Sequence, residues 1–428
     1  MKGKNLIALG VMLALSGCGS DDGGSNSSDN NGGGNGGGVT NPPSTSLIQH
    51  WSLSKVRSEI ANVATTTGTS MMLCDRNQEY IETDHFMVGF ADDSTRFDKN
   101  ELIQSAKITQ AGFNELIAHS KLNPSSDLNI TSGSKWVACY NDAKKGTGTG
   151  YANLFVFSPS TIDVNHSDFA DSYILAKHEL FHVFQYEKLN DSIQFFEMPR
   201  WFMEGTAEFF AGRPPKNTTH KMDDFISDTS LTPMGIETWQ DEVELMKDQA
   251  IHTAYFNDMY DMYDMYDMYQ NNVLFYVNSG MSFEQMFTVM ENSIGYNFVH
   301  AMTNLERELD IKTAYTDLKD DSTLYRNNVI AQLNAKEISG SYTDDVNLDV
   351  DQVLLMRKGT EDAVAKGTIS RDQSKYAFLP KVPDGEYDGY VVAPVSADVD
   401  RIYGSIPVTV KDGKVGNLDF TGVQELID

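Results

Sequence analysis

The spacing of apolar residues predicts both helices and strands in the first half of the chain. Apolar positions at helical spacing predict helices at residues 47–70 and 101–120. Short β-prone runs predict strands at 85–91, 135–140 and 152–158, the last of them after a Gly-Thr-Gly-Thr-Gly turn. This part of the chain is therefore expected to place a helix and several strands ahead of residue 178.

Residues 222–340 are predicted to be mainly helical, and they contain an unusual repeat. Asp-Met-Tyr occurs four times in succession at 258–269. A three-residue period moves around an α-helix by about 60° per repeat, so no face of such a helix stays apolar. The repeat is either an acidic-aromatic binding surface or duplicated sequence that is tolerated in an exposed helix or loop. We prefer the second interpretation and assign the repeat no role.

The C-terminal stretch, residues 345–428, changes to short β-prone segments. They are separated by Pro383-Asp384-Gly385 and Asp412-Gly413, which are typical of hairpin turns. This region is expected to form an all-β, immunoglobulin-like or transthyretin-like sandwich. The sequence leaves open whether such a module binds, spaces or is purely structural. The predicted strands are 346–356, 375–379, 387–394, 405–410 and 414–420.

The N-terminal segment has the features of an export signal. Met1–Cys18 combines a basic start with an apolar run too short to span a bilayer. Its end, Leu-Ser-Gly-Cys, resembles the lipobox of bacterial lipoproteins, so residues 1–17 are expected to be removed and Cys18 to be acylated. A plain secretory signal with a chance cysteine is the alternative. Residues 18–46 are rich in Gly, Ser and Asn and are expected to form a flexible tether. Gly19 after the cysteine fits an outer-membrane lipoprotein of a Gram-negative cell envelope.

Charge and cysteine usage agree with export. The chain has 33 Lys+Arg against 61 Asp+Glu, a formal net charge of −28. This charge disfavours nucleic acid as a partner, and it disfavours an anionic bilayer surface unless the chain carries a lipid anchor. With Cys18 assigned to lipid, Cys74 and Cys139 remain as an even pair in an oxidising compartment, and we expect them to form a disulfide. Two buried thiols are the alternative, because both cysteines lie among apolar neighbours.

The candidate chemistry lies in residues 178–210, which read His-Glu-Leu-Phe-His and, after a gap, Trp-Phe-Met-Glu-Gly-Thr-Ala-Glu-Phe-Phe. His178 and His182 are four residues apart, so a helix projects both imidazoles from one face. Glu179 lies beside them, where a carboxylate can reach a metal-bound water. Glu204 offers the third ligand that a zinc site needs, and Glu208, one turn later, can accept the outer N–H of a ligand histidine. The alternative is a buried helix with two satisfied histidines.

The segment WFMEGTAEFFAG at 201–212, following His-Glu-x-x-His, resembles the bacterial collagenase family of gluzincin zinc peptidases. The likeness covers roughly residues 173–212. It implies an α+β, thermolysin-like gluzincin catalytic domain, whose upper subdomain is 47–221 and whose lower subdomain is the helical region. It also implies that Glu204 is the third zinc ligand. In this family an edge strand binds the substrate backbone, and Tyr151–Ser158 is the best match.

The resemblance implies a zinc-dependent endopeptidase in which Glu179 is the general base for a zinc-activated water. The family pattern has a tyrosine in a comparable downstream helix, so Tyr255 is a candidate oxyanion donor, and a packing tyrosine is the alternative. Collagen itself is not the expected substrate. About 130 residues separate the tether from His178, whereas members that open triple helices carry a large additional helical domain. Peptides or unfolded protein fit better.

Two other functions remain open at this point. One is a non-enzymatic surface-binding lipoprotein on a zinc-peptidase scaffold, although the intact Glu179 argues against it. The other is a narrow-specificity maturase of the cell envelope. The many Asp residues are compatible with Ca²⁺, but no Asp-rich loop with a recognisable binding pattern supports a calcium site.

Overall fold

The computed structural model has two regions with separate hydrophobic cores. One core joins buried side chains between Val56 and Leu333, and the other joins those between Ile338 and Phe420. The predicted signal segment, Cys18 and the tether lie outside the described residues. The structure describes residues 53–425 except 75, 92–97, 129, 131–134, 143–146, 152–153, 160, 167–168, 190–196, 214, 216–217, 257–262, 296, 345–351, 359–362, 371–373, 379–381, 383 and 397–398.

The first region begins with a six-stranded mixed sheet and the helices that pack on it. Its strands are β1 Thr66–Leu73, β2 Arg76–Glu82, β3 Phe86–Phe90, β4 Trp136–Tyr140, β5 Thr147–Tyr151 and β6 Leu154–Ser158. Its helices are α1 Leu53–Asn62, α2 Lys99–Ser120, α3 Pro124–Asp127 and α4 Phe169–Leu189. The strand order is β1-β2-β3-β4-β6-β5, and the pairs β3–β4 and β4–β6 are parallel. Helix α2 lies between β3 and β4 in the chain and packs against α4, so the sheet supports the helix that carries His178.

Several sequence expectations for this part are confirmed and others are wrong. The helix predicted at 101–120 and the strands predicted at 85–91 and 135–140 are present. The helix predicted at 47–70 ends at Asn62, and β1 follows it. Threonines with branched Cβ atoms and Gly68 disfavour helix there, so the chain extends instead.

The edge of the sheet also differs from the expectation. The segment from Thr147 to Tyr151 is not a turn but the strand β5, which pairs antiparallel with β6. Strand β6 lies between β4 and β5, so it is internal. The assignment of Tyr151–Ser158 as the edge strand is therefore wrong, and the edge on this side is β5. The alternating Gly and Thr residues obscured a strand that pairs with the next strand in the chain, where Tyr151 lies opposite Leu154.

The predicted disulfide is present. Cys74 and Cys139 are bonded, and their Cα atoms are 5.7 Å apart. Cys74 lies between β1 and β2, and Cys139 lies in β4. The bond therefore ties the outer hairpin of the sheet to a central strand across a sequence separation of 65 residues.

Helices continue to residue 336, which confirms the mainly helical character predicted for residues 222–340. They are α5 Arg200–Ala211, α6 Thr219–Thr229, α7 Trp239–Leu245, α8 Gln249–Ile251, α9 Tyr263–Asn278, α10 Phe283–Gly295, α11 Phe298–Glu308, α12 Tyr315–Asp320, α13 Ser322–Tyr325 and α14 Ala331–Lys336, with π-helical turns at His252–Phe256 and Arg326–Ile330. The upper and lower parts share one core, because Trp201 of α5 stacks on Tyr276 of α9, with ring centroids 5.6 Å apart. None of the helices in the described residues combines the length and the apolarity needed to cross a membrane.

The Asp-Met-Tyr repeat is mostly buried where its side chains are described, from residue 265 onward. Its residues from 263 onward belong to α9, and residues 258–262 lie outside the described residues. Met265, Met268 and Tyr269 have no exposed surface, and Asp267 is 2% exposed. The expectation of a solvent-exposed duplication is therefore wrong for Met265 and for residues 267–269, while Tyr266 is partly exposed. Helix α9 contacts α5, α6 and α14, and a helix surrounded in this way has no need of one apolar face.

The C-terminal region is all-β. Its strands are β7 Ile338–Asp344, β8 Gln352–Arg357, β9 Ala363–Ser370, β10 Lys375–Phe378, β11 Gly385–Ser396, β12 Val399–Lys411, β13 Lys414–Val415, β14 Leu418–Phe420 and β15 Gln424–Glu425. They form a nine-stranded sheet ordered β13-β12-β11-β8-β9-β10-β7-β14, with β15 beside β12. Strands β12 and β14 also touch, so the sheet curls around the second core. An immunoglobulin-like or transthyretin-like sandwich stays a prediction.

Two details of this region were not predicted. Strand β9 was missed, and β7 begins at Ile338, ahead of the expected boundary at 345. The strand predicted at 346–356 corresponds to β8, and its first residues lie outside the described part. The predicted Asp412-Gly413 turn is confirmed, because both residues have positive φ, 53° and 66°, as a type I′ hairpin requires.

Candidate metal centre

Two adjacent helices carry the candidate ligands. His178 and His182 lie on α4, and Glu204 lies on α5. The two helices pack directly, and Phe181 of α4 stacks on Phe210 of α5 with ring centroids 4.3 Å apart. Burial of these two aromatic rings holds α4 against α5. The side chains of His178, His182 and Glu204 are thereby brought close to one another.

The three predicted ligand atoms form a small triangle. His178 Nε2 and His182 Nε2 are 3.0 Å apart. Glu204 Oε2 lies 3.2 Å from His178 Nε2 and 3.1 Å from His182 Nε2. All three residues are buried. Ligand atoms about 2.0–2.1 Å from a tetrahedral zinc ion lie about 3.3 Å apart, so the triangle has nearly the size that one such ion requires.

The groups behind the two histidines favour an unprotonated Nε2 on each ring. The Gln185 amide donates to Met203 O and to Thr206 Oγ1, so its Oε1 is an acceptor for His182 Nδ1 at 2.7 Å. His182 therefore carries its proton on Nδ1 and presents an unprotonated Nε2. His178 Nδ1 lies 3.2 Å from Glu208 Oε1, which favours the same tautomer.

Three acceptors therefore face one another at the centre of the site. Two imidazole lone pairs and a carboxylate oxygen repel each other at about 3 Å unless a cation lies between them. The residues thus fit a divalent metal ion. Among the described residues, no other group of three His, Cys, Asp or Glu side chains brings its ligand atoms this close together.

The second oxygen of Glu204 belongs to a buried ion-pair network. Arg200 Nη1 donates to Glu204 Oε1 at 2.6 Å, and Arg200 Nε donates to Glu242 Oε2 at 2.8 Å. The Tyr269 hydroxyl donates to Glu242 Oε1 at 3.0 Å. Burial opposes ionisation of Glu204, but Arg200 and His182 outweigh it and hold the pKa of this carboxyl well below its usual range.

Glu208 lies behind His178, as predicted. Its Oε1 faces His178 Nδ1, and its Oε2 pairs with Arg213. Burial opposes ionisation here too, yet Arg213 and His178 lower the pKa of Glu208 to about 2. A permanently charged carboxylate orients the imidazole and makes its other nitrogen a better ligand.

Glu179 lies on α4 next to His178 and is 4% exposed. Among the described residues, its carboxylate has no hydrogen-bond or ion-pair partner, so it is available to a bound water. Burial raises the pKa of Glu179, and Glu204 and Glu208 act in the same direction, while the two histidines oppose them. Such a carboxylate accepts a proton more readily than an exposed one.

The contacts of Tyr255, the candidate oxyanion donor, are with residues other than the three candidate ligands. The Tyr255 hydroxyl donates to Asp228 Oδ2 at 2.7 Å, and its ring packs edge-on against Phe225 of α6. Its oxyanion role stays a prediction. A different tyrosine, Tyr266 of α9, has its ring centroid 6.2 Å from that of His178 and is partly exposed.

Sequence reasoning missed the residues that support the ligands. Arg200 precedes Glu204 by one helical turn, and Gln185 follows His182 by three residues, so both were within reach of a spacing argument. Arg213 follows Glu208 by five residues, beyond the end of α5, and no regular spacing points to it. Tyr266 lies in the repeat that was expected to be exposed.

The site is thus a buried cluster of two histidines and one carboxylate, with Glu179 beside it. Arg200 pairs with Glu204, and Arg213 pairs with Glu208. The cluster has the donor set of a metal centre. No protein-family model and no curated protein matches the chain.

Proposed function

We propose that this protein is a zinc-dependent endopeptidase of the gluzincin type that acts on peptides or unfolded proteins. The observation that carries the proposal is the convergence of His178 Nε2, His182 Nε2 and Glu204 Oε2 within 3.2 Å. Two histidines and one carboxylate are the ligands of zinc hydrolases that keep a coordination position open. Bound zinc supplies Lewis acidity there, polarising a carbonyl and lowering the pKa of a coordinated water towards about 7.

Glu179 has the position and the chemistry of the general base. It is fixed on α4 beside His178, and no described partner occupies its carboxylate. In the proposed reaction it accepts a proton from the attacking water and passes it to the leaving amine. Glu208 and Gln185 meanwhile hold the two imidazoles in one tautomer, which keeps both Nε2 atoms directed at the metal.

A tyrosine hydroxyl is the proposed donor to the developing oxyanion. Tyr255 was the candidate from the sequence, and Tyr266 is the residue whose ring lies near His178. If Tyr266 has this role, Tyr266→Phe should lower kcat by about ten- to a thousandfold with a small change in KM, while Tyr255→Phe should change neither strongly. The reverse result would restore the assignment to Tyr255.

The edge strand β5 is the proposed contact for the substrate backbone. It has one paired neighbour in the sheet, β6, and it also contacts α4. An unpaired strand edge can add an extended peptide by main-chain hydrogen bonds. The collagenase-like resemblance supports this reading, with β5 taking the place first given to Tyr151–Ser158.

Metal analysis combined with peptide hydrolysis tests the proposed function. Purified full-length protein should contain about one zinc per chain and should cleave unstructured peptides. The Glu179→Gln variant should keep the zinc and lose hydrolysis, because glutamine cannot accept the proton. Full activity in Glu179→Gln, or no zinc in the wild type, would overturn the proposal.

Cleavage profiling distinguishes the remaining functions. Broad cleavage of a peptide library supports a scavenging endopeptidase, whereas one dominant sequence supports a maturase of the cell envelope. Zinc binding with no hydrolysis of any library member supports a surface-binding scaffold. Cleavage of denatured but not of triple-helical collagen is expected, in line with the proposed action on peptides or unfolded proteins.

We also propose that the protein is an acylated lipoprotein of the bacterial envelope, anchored through Cys18. The support is the Leu-Ser-Gly-Cys sequence and the Gly-, Ser- and Asn-rich stretch that follows it. Metabolic labelling with palmitate should mark the wild type and not the Cys18→Ser variant. Equal labelling of both proteins would contradict the assignment.

A further inference from the structure

Arg200 is the buried residue that joins the metal ligands to the rest of the helical region. It is 8% exposed, and its guanidinium lies over the ring of Trp239, 5.2 Å from the ring centroid. One arm of the guanidinium holds Glu204, and its Nε holds Glu242. The network therefore runs from a ligand on α5 to α7 and, through Tyr269, to α9.

The two oxygens of Glu204 are treated differently by this network. Oε2 faces the histidines at 3.1 and 3.2 Å, while Oε1 is held by Arg200 at 2.6 Å. A carboxylate can bind a metal through one oxygen or through both. A strong charge-assisted bond to Oε1 opposes the rotation that would bring both oxygens to the metal.

The shape of the guanidinium allows Arg200 to hold Glu204 and Glu242 at the same time. Its planar fork binds two carboxylates at once, whereas a lysine ammonium is a single point charge on a flexible chain. Glu242 accepts a hydrogen bond from Arg200 Nε, and the Trp239 ring packs against the face of the guanidinium. The Tyr269 hydroxyl holds Glu242 in turn. In this hydrogen-bonded series Tyr269 orients Glu242, and Glu242 orients Arg200. Arg200 in turn orients Glu204.

We propose that Arg200 is a positioning residue that restricts Glu204 to one-oxygen coordination, and that Glu242 and Tyr269 hold Arg200 in place. The inference rests on the proposed metal site but not on peptide hydrolysis. It gives the last tyrosine of the Asp-Met-Tyr repeat a function, namely support of a metal ligand. It also predicts that coordination number depends on residues that never touch the ion.

Cobalt substitution measures this directly, because the visible absorption of Co²⁺ falls as its coordination number rises. The variants are Arg200→Gln, Arg200→Lys and the double variant Arg200→Gln/Glu242→Gln, which keeps the buried charge balanced. Lys177→Met is the control, since Lys177 is also a buried cation, and it lies on α4 and pairs with Glu115 of α2 at 3.1 Å. Circular dichroism checks that each variant is folded.

Wild-type protein should bind one Co²⁺ with the intense bands of a four-coordinate ion, and Lys177→Met should match it. Arg200→Gln and the double variant should show weaker bands per bound ion and about ten- to a hundredfold weaker metal binding. Arg200→Lys should not restore the wild-type spectrum, because it lacks the fork. If Arg200→Gln does not fold, the charge-balanced double variant provides the comparison.

The outcomes separate the two proposals. Absence of Co²⁺ binding by the wild type would remove the metal site itself, and the proposed function with it. Wild-type binding together with an unchanged spectrum and affinity in the folded variants would overturn only the role of Arg200. Full rescue by Arg200→Lys would show that charge alone is needed, which also overturns the positioning role.

Discussion

Gly205→Ala tests the packing that brings the ligand helix to its place. Gly205 follows Glu204 at the contact between α5 and α9. A Cβ atom added there would lie 2.3 Å from the carbonyl oxygen of Tyr269 and 2.6 Å from its carbonyl carbon. Backbone atoms cannot rotate away, so the two helices must move apart by about 1 Å. Tyr269 would move with α9, and its bond to Glu242 would be strained.

Two opposing effects determine how much Gly205→Ala changes the free energy of unfolding. Alanine is favoured over glycine inside a helix by about 1 kcal/mol. Overpacking a tight interior costs about 1–3 kcal/mol, and a clash with backbone belongs at the upper end. The free energy of unfolding of Gly205→Ala should therefore fall by about 2 kcal/mol, with a decrease in Tm of about 3–4 °C for a region of this size.

Gly112→Ala is a matched control. Gly112 also lies inside a long helix, but the nearest atom to an added Cβ is Lys177 Cγ at 3.3 Å, part of a side chain that can shift. Its free energy of unfolding should stay within about 1 kcal/mol of the wild-type value. Denaturant unfolding with metal chelated measures both variants. Equal stability of Gly205→Ala and Gly112→Ala would show that the close approach of α5 and α9 does not constrain the site.

Three further predictions concern pH, the disulfide and the metal. Burial raises the pKa of Glu306 to about 7, so its contribution to stability is complete below its ordinary pKa of 4.5 and is lost as pH rises through 7. Glu306→Gln should therefore lose less stability than the wild type between pH 5 and 8 in thermal melts, and parallel curves would refute this. Replacing Cys74 and Cys139 by serine should lower the free energy of unfolding by about 4 kcal/mol in denaturant titrations, and a change below about 1 kcal/mol would contradict the chain-entropy argument. Chelation should lower the Tm of the wild type and of Glu179→Gln equally but leave His182→Ala unchanged, and a drop in His182→Ala would mean that the ion binds elsewhere.

Spacing arguments worked where the chemistry lies within one or two helical turns. The pair His178 and His182 needed only helical geometry, and Glu208 was expected behind a ligand histidine because it follows Glu204 by one turn. The structure brings all four side chains together. Arg200 could have been found in the same way, since it precedes Glu204 by four residues.

Spacing arguments failed where packing partners are distant in sequence. Tyr269 and Glu242 are 65 and 38 residues after Glu204, yet both belong to its network. The repeat was judged from its own periodicity, which has no apolar face, although α9 is enclosed by other helices. Strand β5 is a different case, because its partner β6 is the next strand in the chain, and its alternating Gly and Thr residues were taken for a turn.

The amino-acid order alone determined which donors meet: two imidazoles one turn apart, a carboxylate beside them and two more on a second short helix. It also determined the cysteine pair and the Asp412-Gly413 turn, because each depends on residue type and local geometry. Only the tertiary structure decided which oxygen of Glu204 faces the histidines, which strand forms the sheet edge and which tyrosine lies near the site. Those features depend on contacts between helices and strands far apart in the chain, and no fixed spacing encodes such contacts.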